Sequence, residues 1–140
     1  MILSTKGRYS VMAMVDLAMH QKESPVSLTH IAERQEIPQA YLEQIFARLK
    51  KSGLVESVRG PGGGYKLAKS CAEITMDEIV AASEEEIRMT RCGKADGGCM
   101  AKRAKCLTHD LWEGLGDHIE AYLSSITLEQ VCNKEITLAA

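Results

Sequence analysis

SLTHIAERQEIPQAYLEQIFARLKKSGLVESVRGPGGGYKLAKS, residues 27–70, is the stretch on which the fold turns. Ser27 can cap a short helix, LTHIAERQ, because its side-chain oxygen can accept from the orphan N–H groups of a first turn. Leu28, Ile31 and Ala32 share one face of that helix. EIP then makes a tight turn: Pro38 disfavours helix at Ile37 and suits the first turn of a new helix. That helix, PQAYLEQIFARLKKS, spans 38–52, and Leu42, Ile45, Phe46 and Leu49 fall at i, i+3, i+4 and i+7 as its core stripe. Its opposite face presents Ala40, Gln44, Ala47 and Lys51, flanked by Glu43 and Arg48. Gly53 ends it as a left-handed cap with Leu54 packing back. Two short helices joined by such a turn form a helix-turn-helix.

Beyond it, Leu54, Val55 and Val58 precede GPGGG, and Tyr65 and Leu67 alternate after it, which reads as a hairpin with a glycine-rich tip. A phosphate-binding glycine loop would run from a strand directly into a helix. YKLAKS is instead a returning strand, and nucleotide binding is excluded. Upstream, a long helix runs from about Ser4, its N-cap, to about Gln21, with Val11, Val15, Ala18 and Met19 marking its buried side. Downstream, Thr75 and Glu78 make a capping box for TMDEIVAAS. A Cys-rich loop follows, then a helix from about Thr108 to Ser124 with a stripe of Leu111, Leu115, Ile119, Tyr122, Leu123 and Ile126 and with Trp112 beside it. Thr127 and Gln130 open a last short turn. The expected fold is mainly α: a winged helix-turn-helix with a β-hairpin wing, plus a long C-terminal dimerisation helix. Its expected parts are a winged helix-turn-helix DNA-binding domain over 1–83, a cluster-binding loop over 84–107, and a dimerisation helix with C-terminal turn over 108–140.

With 140 residues, 45% hydrophobic and 4% aromatic, the chain suits one domain with a core of Leu, Ile, Val, Met and Ala. No apolar run approaches the ~20 residues that span a bilayer. Asp16 interrupts VMAMVDLAM and no cleavage-type boundary follows, so no secretory signal is read. A cytoplasmic protein with no membrane partner is expected. Reduced thiols and an odd count of five cysteines argue against a disulfide framework. Residues 1–69 carry ten Lys and Arg against six Asp and Glu, net +4, while residues 70–140 carry seven against thirteen, net −6. A basic half joined to an acidic half points the first half toward a polyanion.

Double-stranded DNA fits that half. Gln44 can bond adenine bidentately, Glu43 can accept from cytosine N4, and Arg48 and Lys51 can reach phosphates. Arg59 precedes a tip without bulky side chains, suited to a minor groove narrowed by A·T tracts. The candidate DNA-facing set is Gln39, Ala40, Tyr41, Glu43, Gln44, Arg48 and Lys51 on the helix, with Arg59, Gly60, Pro61 and Gly62 in the wing. A two-fold homodimer through the last long helix would set two recognition helices about 34 Å apart, one turn of DNA.

RCGKADGGCMAKRAKCLTHDLW, residues 91–112, spaces its ligand-type residues C-x6-C-x6-C-x2-H: Cys92, Cys99, Cys106 and His109. Zinc knuckles begin with closer cysteine pairs, and wide, even gaps suit a loop wrapping something larger than one ion. Four soft ligands can hold a 2Fe–2S cluster, with imidazole in place of one thiolate. The N-terminal dipole of the last long helix and Lys102, Arg103 and Lys105 favour an anionic group there. A zinc-stabilised or thiol-redox site in the same fold is the alternative. A catalytic Cys–His pair lacks an orienting Asp or Asn and a distinguished nucleophile, so an enzyme is not expected. Cys71 and Cys132 have apolar neighbours and read as small packed residues.

The combination of AYLEQ, SVRGPGGGY and RCGKADGGCMAKRAKCLTHDLW resembles the winged-helix family of iron–sulfur cluster assembly transcription regulators, and the match runs from MILSTKGRYSVMAM to TLEQV. The resemblance implies a homodimeric regulator of iron–sulfur cluster assembly genes. It implies a 2Fe–2S cluster on Cys92, Cys99, Cys106 and His109, with the cluster assembly machinery as donor. Each gap between the cysteines is one residue longer here than in the best-known members. Related nitric-oxide sensors use an Asp near the N-terminus where this chain has Arg8, which points away from that branch.

Overall fold

The computed structural model describes residues 4–83 and 100–138, together with Ile87, Met89 and Gly98. Helix α1 (Thr5–His20) is capped by Ser4, whose hydroxyl accepts from the Gly7 N–H. Its buried arc is centred on Ser10, Ala13, Met14 and Leu17, and it includes Asp16. The expected buried side, Val11, Val15, Ala18 and Met19, is corrected: the first three are half-buried and Met19 is 54% exposed. The true arc has the same i, i+3, i+4, i+7 spacing but runs through a serine, so hydropathy alone hid it. Ser10 can be buried because its hydroxyl donates to the Lys6 carbonyl at 2.8 Å.

Helices α2 (Leu28–Gln35) and α3 (Gln39–Lys51) form the helix-turn-helix. Ser27 caps α2, and Pro38 lies just outside α3 as its N-cap, one position earlier in role than the sequence suggested. Leu42, Ile45, Phe46 and Leu49 are all buried. Gly53 takes φ +77°, and the Leu54 N–H bonds the Leu49 carbonyl at 3.0 Å as Leu54 packs back.

Strands β1 (Val55–Val58) and β2 (Gly64–Leu67) pair antiparallel in the register Val55↔Leu67 to Val58↔Gly64. Val26, just before α2, adds an antiparallel bridge to Tyr65 with two bonds of 2.8 and 2.9 Å. Gly64 is required there, because a Cβ at that position would lie 2.2 Å from the Val26 carbonyl oxygen.

Helix α4 (Met76–Ala82) carries the expected Thr75–Glu78 capping box. A 3-10 turn covers Ala101–Arg103. Helix α5 (His109–Ser125) and helix α6 (Leu128–Cys132), with its own Thr127–Gln130 box, complete the chain. The connection from α5 to α6 is stitched to the segment before α4: Met76 N–H bonds Ile126 O at 2.9 Å and Leu128 N–H bonds Ile74 O at 2.8 Å. Leu128 thereby enters the same core as α1, α3 and α4. Among the described residues, no helix is long and apolar enough to cross a membrane.

Candidate nucleic-acid interface and metal-ligand turn

Burying the Leu42 stripe leaves the other face of α3 outward. Gln39, Ala40, Glu43, Gln44, Ala47 and Lys51 are exposed, and Arg48 is half-buried. Tyr41 is also half-buried, its ring set edge-on to Tyr9 with centroids 5.6 Å apart. Among the described residues no ion pair or hydrogen bond engages Glu43. Lys50, a cation it could have paired with, donates instead to Ser57 Oγ at 2.8 Å. Arg59, Gly60, Pro61 and Gly62 form the exposed wing tip, closed by a Gly63 N–H bond to the Gly60 carbonyl at 2.9 Å.

The base of the wing is fixed while its tip projects. Tyr65 packs on Phe46 of α3, centroids 4.8 Å apart, and the Leu67 N–H donates to Gln21 Oε1 at 2.7 Å. Gln21 is the C-cap residue of α1, so the end of that helix sets the height of β2.

One turn back, α1 also holds the helix-turn-helix. The Asp16 carboxylate, wholly shielded from solvent, accepts from Arg34 Nε at 2.9 Å and from the Arg34 terminal nitrogen at 2.7 Å. Gln35 Nε2 is a third donor, at 2.9 Å. Burial raises the Asp16 pKa, but the hydrogen bonds from Arg34 and Gln35 and the charges of Arg34 and His20 outweigh it and hold the carboxyl below its ordinary value. Sequence reading used Asp16 only as an interruption of an apolar run. A charged residue inside an otherwise apolar helical face was the available signal, and Arg34 with Gln35 at the end of α2 was its partner.

Beyond the helix-turn-helix and wing, the backbone turns into α5 through a bond from the His109 N–H to the Cys106 carbonyl, 3.1 Å. This puts two of the four expected ligands on one turn. Cys106 is half-buried, with its Sγ 3.5 Å from Thr108 Oγ1. His109 is only 5% exposed, and its Nδ1 is buried with no hydrogen-bond partner among the described residues. Its Nε2 lies 3.6 Å from Glu113 Oε2. The positions expected at Cys92 and Cys99 lie outside the described residues. Cys71 and Cys132 are half-buried against the core, as packed residues should be. Burial first, then negative charge from Glu129 on Cys71 and from Cys71 on Cys132, pushes both thiols up toward the neutral form.

A helix-turn-helix whose second helix offers a polar outer face beside an arginine-tipped wing is a winged-helix, DNA-binding transcription regulator. The chain belongs to the Rrf2 family of iron-dependent transcriptional regulators, whose family model matches residues 3–134. It is 51% identical over 138 residues to the HTH-type transcriptional regulator IscR of Photorhabdus laumondii, covering 99% of this chain and 83% of the relative. The same-named regulator of Escherichia coli O1:K1 is 48% identical, covering 99% and 84%. Among solved structures, IscR from T. potens superposes with a TM-score of 0.78 at 39% identity, covering 100% of this chain and 93% of that one. CymR, the global cysteine regulator of B. subtilis, gives 0.80 at 32% identity, covering 96% and 98%. These relatives are regulators rather than enzymes, and so is this chain.

Proposed function

We propose that the protein is a homodimeric regulator that holds a 2Fe–2S cluster on Cys92, Cys99, Cys106 and His109 and controls iron–sulfur cluster assembly genes. The cluster assembly machinery is its cluster donor, and the cytoplasm its compartment. The observation that carries the reading is His109: a buried imidazole nitrogen without a partner is costly, and it sits one turn from the Cys106 thiol. Such a nitrogen fits a metal ligand. The iron dependence of the family supports the same choice. When bound, the cluster supplies a redox-active anionic centre whose loading state is the signal.

The residues of the chain supply the readout. Helix α5 packs on α4 and leaves Leu111, Trp112 and Tyr122 63%, 39% and 50% exposed, an apolar face that a second copy would cover. Ordering of the Cys106–His109 turn would set the start of α5. Its end is bonded to the segment before α4 through Ile126 and Leu128, and α6 packs on α1. Helix α1 in turn grips α2 through Asp16 and the wing through Gln21. A tilt of α5 thus has a route of hydrogen bonds and helix packing to the DNA-reading surface of Gln39, Ala40, Tyr41, Glu43, Gln44, Arg48, Lys51 and the 59–62 tip.

Anaerobic purification followed by iron, sulfide and absorption analysis tests the reading. About two irons and two sulfides per protomer are expected, lost in Cys92→Ala, Cys99→Ala or Cys106→Ala with helical content retained. Stoichiometric zinc without iron or sulfide would overturn it in favour of a zinc site.

A further inference from the structure

All four histidines lie in helices, and His20, His118 and His109 differ in one respect. His20 and His118 each set Nδ1 2.8 Å from the carbonyl four residues back, Asp16 O and Gly114 O. His109 is the first residue of α5, so no helical carbonyl lies four residues before it. Its Nδ1 is buried with no partner among the described residues, while its other ring nitrogen faces the Glu113 carboxylate, one helical turn on, at 3.6 Å. That separation is too long for a hydrogen bond. A small rotation of Glu113, which is partly solvent-exposed, closes it.

We infer that Glu113 is a positioning residue: its carboxylate takes the Nε2–H of His109, which leaves Nδ1, the buried nitrogen, as the atom that meets the bound group. The inference rests on His109 being a ligand, as proposed above. A metal-bound imidazole ordinarily donates its second ring N–H to a carboxylate or carbonyl, which fixes the tautomer and raises the basicity of the ligating nitrogen. Here the carboxylates of Asp110 and Glu113 are brought near the ring, with the three ligand-type atoms within 4.8 Å of one another. Asp110 is adjacent in sequence, whereas Glu113 stacks on the same face of α5. The same three groups could instead hold a lone divalent cation, and the test must separate the two.

The first measurement uses the full chain without cluster. Ring 15N chemical shifts are read at mildly alkaline pH, where imidazole is neutral, and the His109 signal is identified by its loss in His109→Gln. The expected result is the Nε2–H tautomer in the parent and in Glu113→Gln, whose amide oxygen still accepts, and a mixture of tautomers in Glu113→Ala. An Nδ1–H tautomer in the parent overturns the inference whether or not iron is ever bound. In the loaded protein, hyperfine coupling from selectively 15N-labelled histidine should be larger at Nδ1. Coupling through Nε2, or a sulfide-free cation lost in Glu113→Gln, would also overturn it. Glu113→Ala should weaken metal retention against a chelator about 10–100-fold. Glu113→Gln should raise the reduction potential, because a negative charge beside the cluster is removed. A parent prepared anaerobically without iron or sulfide refutes the cluster reading itself, and the tautomer result stands apart from it.

Discussion

Replacing Asp16 by asparagine should loosen the DNA-reading unit from its support. The substitution keeps the side-chain shape but removes the charge, and it turns one of the two acceptor atoms into a donor. Three donors converge on this carboxylate, from Arg34 Nε, the Arg34 terminal nitrogen and Gln35 Nε2. The amide can satisfy those at one oxygen only. Hydrogen bonds to a charged group contribute about 1.5–3 kcal/mol each, and breaking a buried pair typically costs about 3–5 kcal/mol. The lower end applies here, because the Arg34 side chain is 34% exposed and can be rehydrated. A loss of about 3 kcal/mol in a domain of this size lowers Tm by roughly 10 °C. If about 1.4 kcal/mol of that is spent re-ordering α2 on DNA, binding weakens about tenfold. The carboxyl is held below its ordinary value in the folded protein, so its contribution is full above the unfolded pKa of about 4 and fades as pH falls. Parent and variant should therefore converge in acid. Thermal unfolding across pH, with DNA titration at fixed salt, measures all three effects. A variant with the parent's Tm at neutral pH would show that the Asp16–Arg34–Gln35 bonds do not hold α2 in place.

Other outcomes follow from the interface. If about six phosphates are neutralised, affinity should fall roughly 10³-fold between about 50 and 200 mM salt, measured by fluorescence anisotropy. Arg59→Ala should weaken binding most at sites with A·T-rich flanks, read as a ratio of affinities for two probes. Glu43→Ala should broaden the sequences selected from a random DNA pool, because this exposed carboxylate on α3, which no described residue pairs with, repels acceptor edges and favours a cytosine N4 donor by about 1–3 kcal/mol. Gly64→Ala should displace the wing from Val26 and cost DNA affinity at every site, with unfolding followed in parallel.

Much of the helix-turn-helix was legible because local chemistry and burial agree there: the Ser27 cap, the Leu42, Ile45, Phe46 and Leu49 stripe, and the Gly53 stop all stand as read. The capping boxes at Thr75 and Thr127 were legible for the same reason. Helix α1 was not. It is packed from several sides, and its buried arc contains Ser10 and Asp16, whose burial depends on bonds to Lys6 and to α2 that no periodicity reveals. The Val26–Tyr65 bridge and the Gln21 anchor join residues about 40 positions apart. Such long-range pairings leave no local pattern. At the turn into α5, residue type and spacing marked His109 as a candidate ligand, but only packing shows that one ring nitrogen is buried with no partner among the described residues and that Glu113 stands by the other.

In the proposed mechanism cluster loading sets how this protein reads DNA. This is tested most directly by random-pool selection and affinity measurement on one anaerobic preparation, divided into loaded and chelator-stripped halves and assayed at the same salt, with Cys106→Ala alongside. The two halves should differ in affinity or in the sites they select, and Cys106→Ala should behave as the stripped half. Identical sites and affinities for all three would contradict that mechanism.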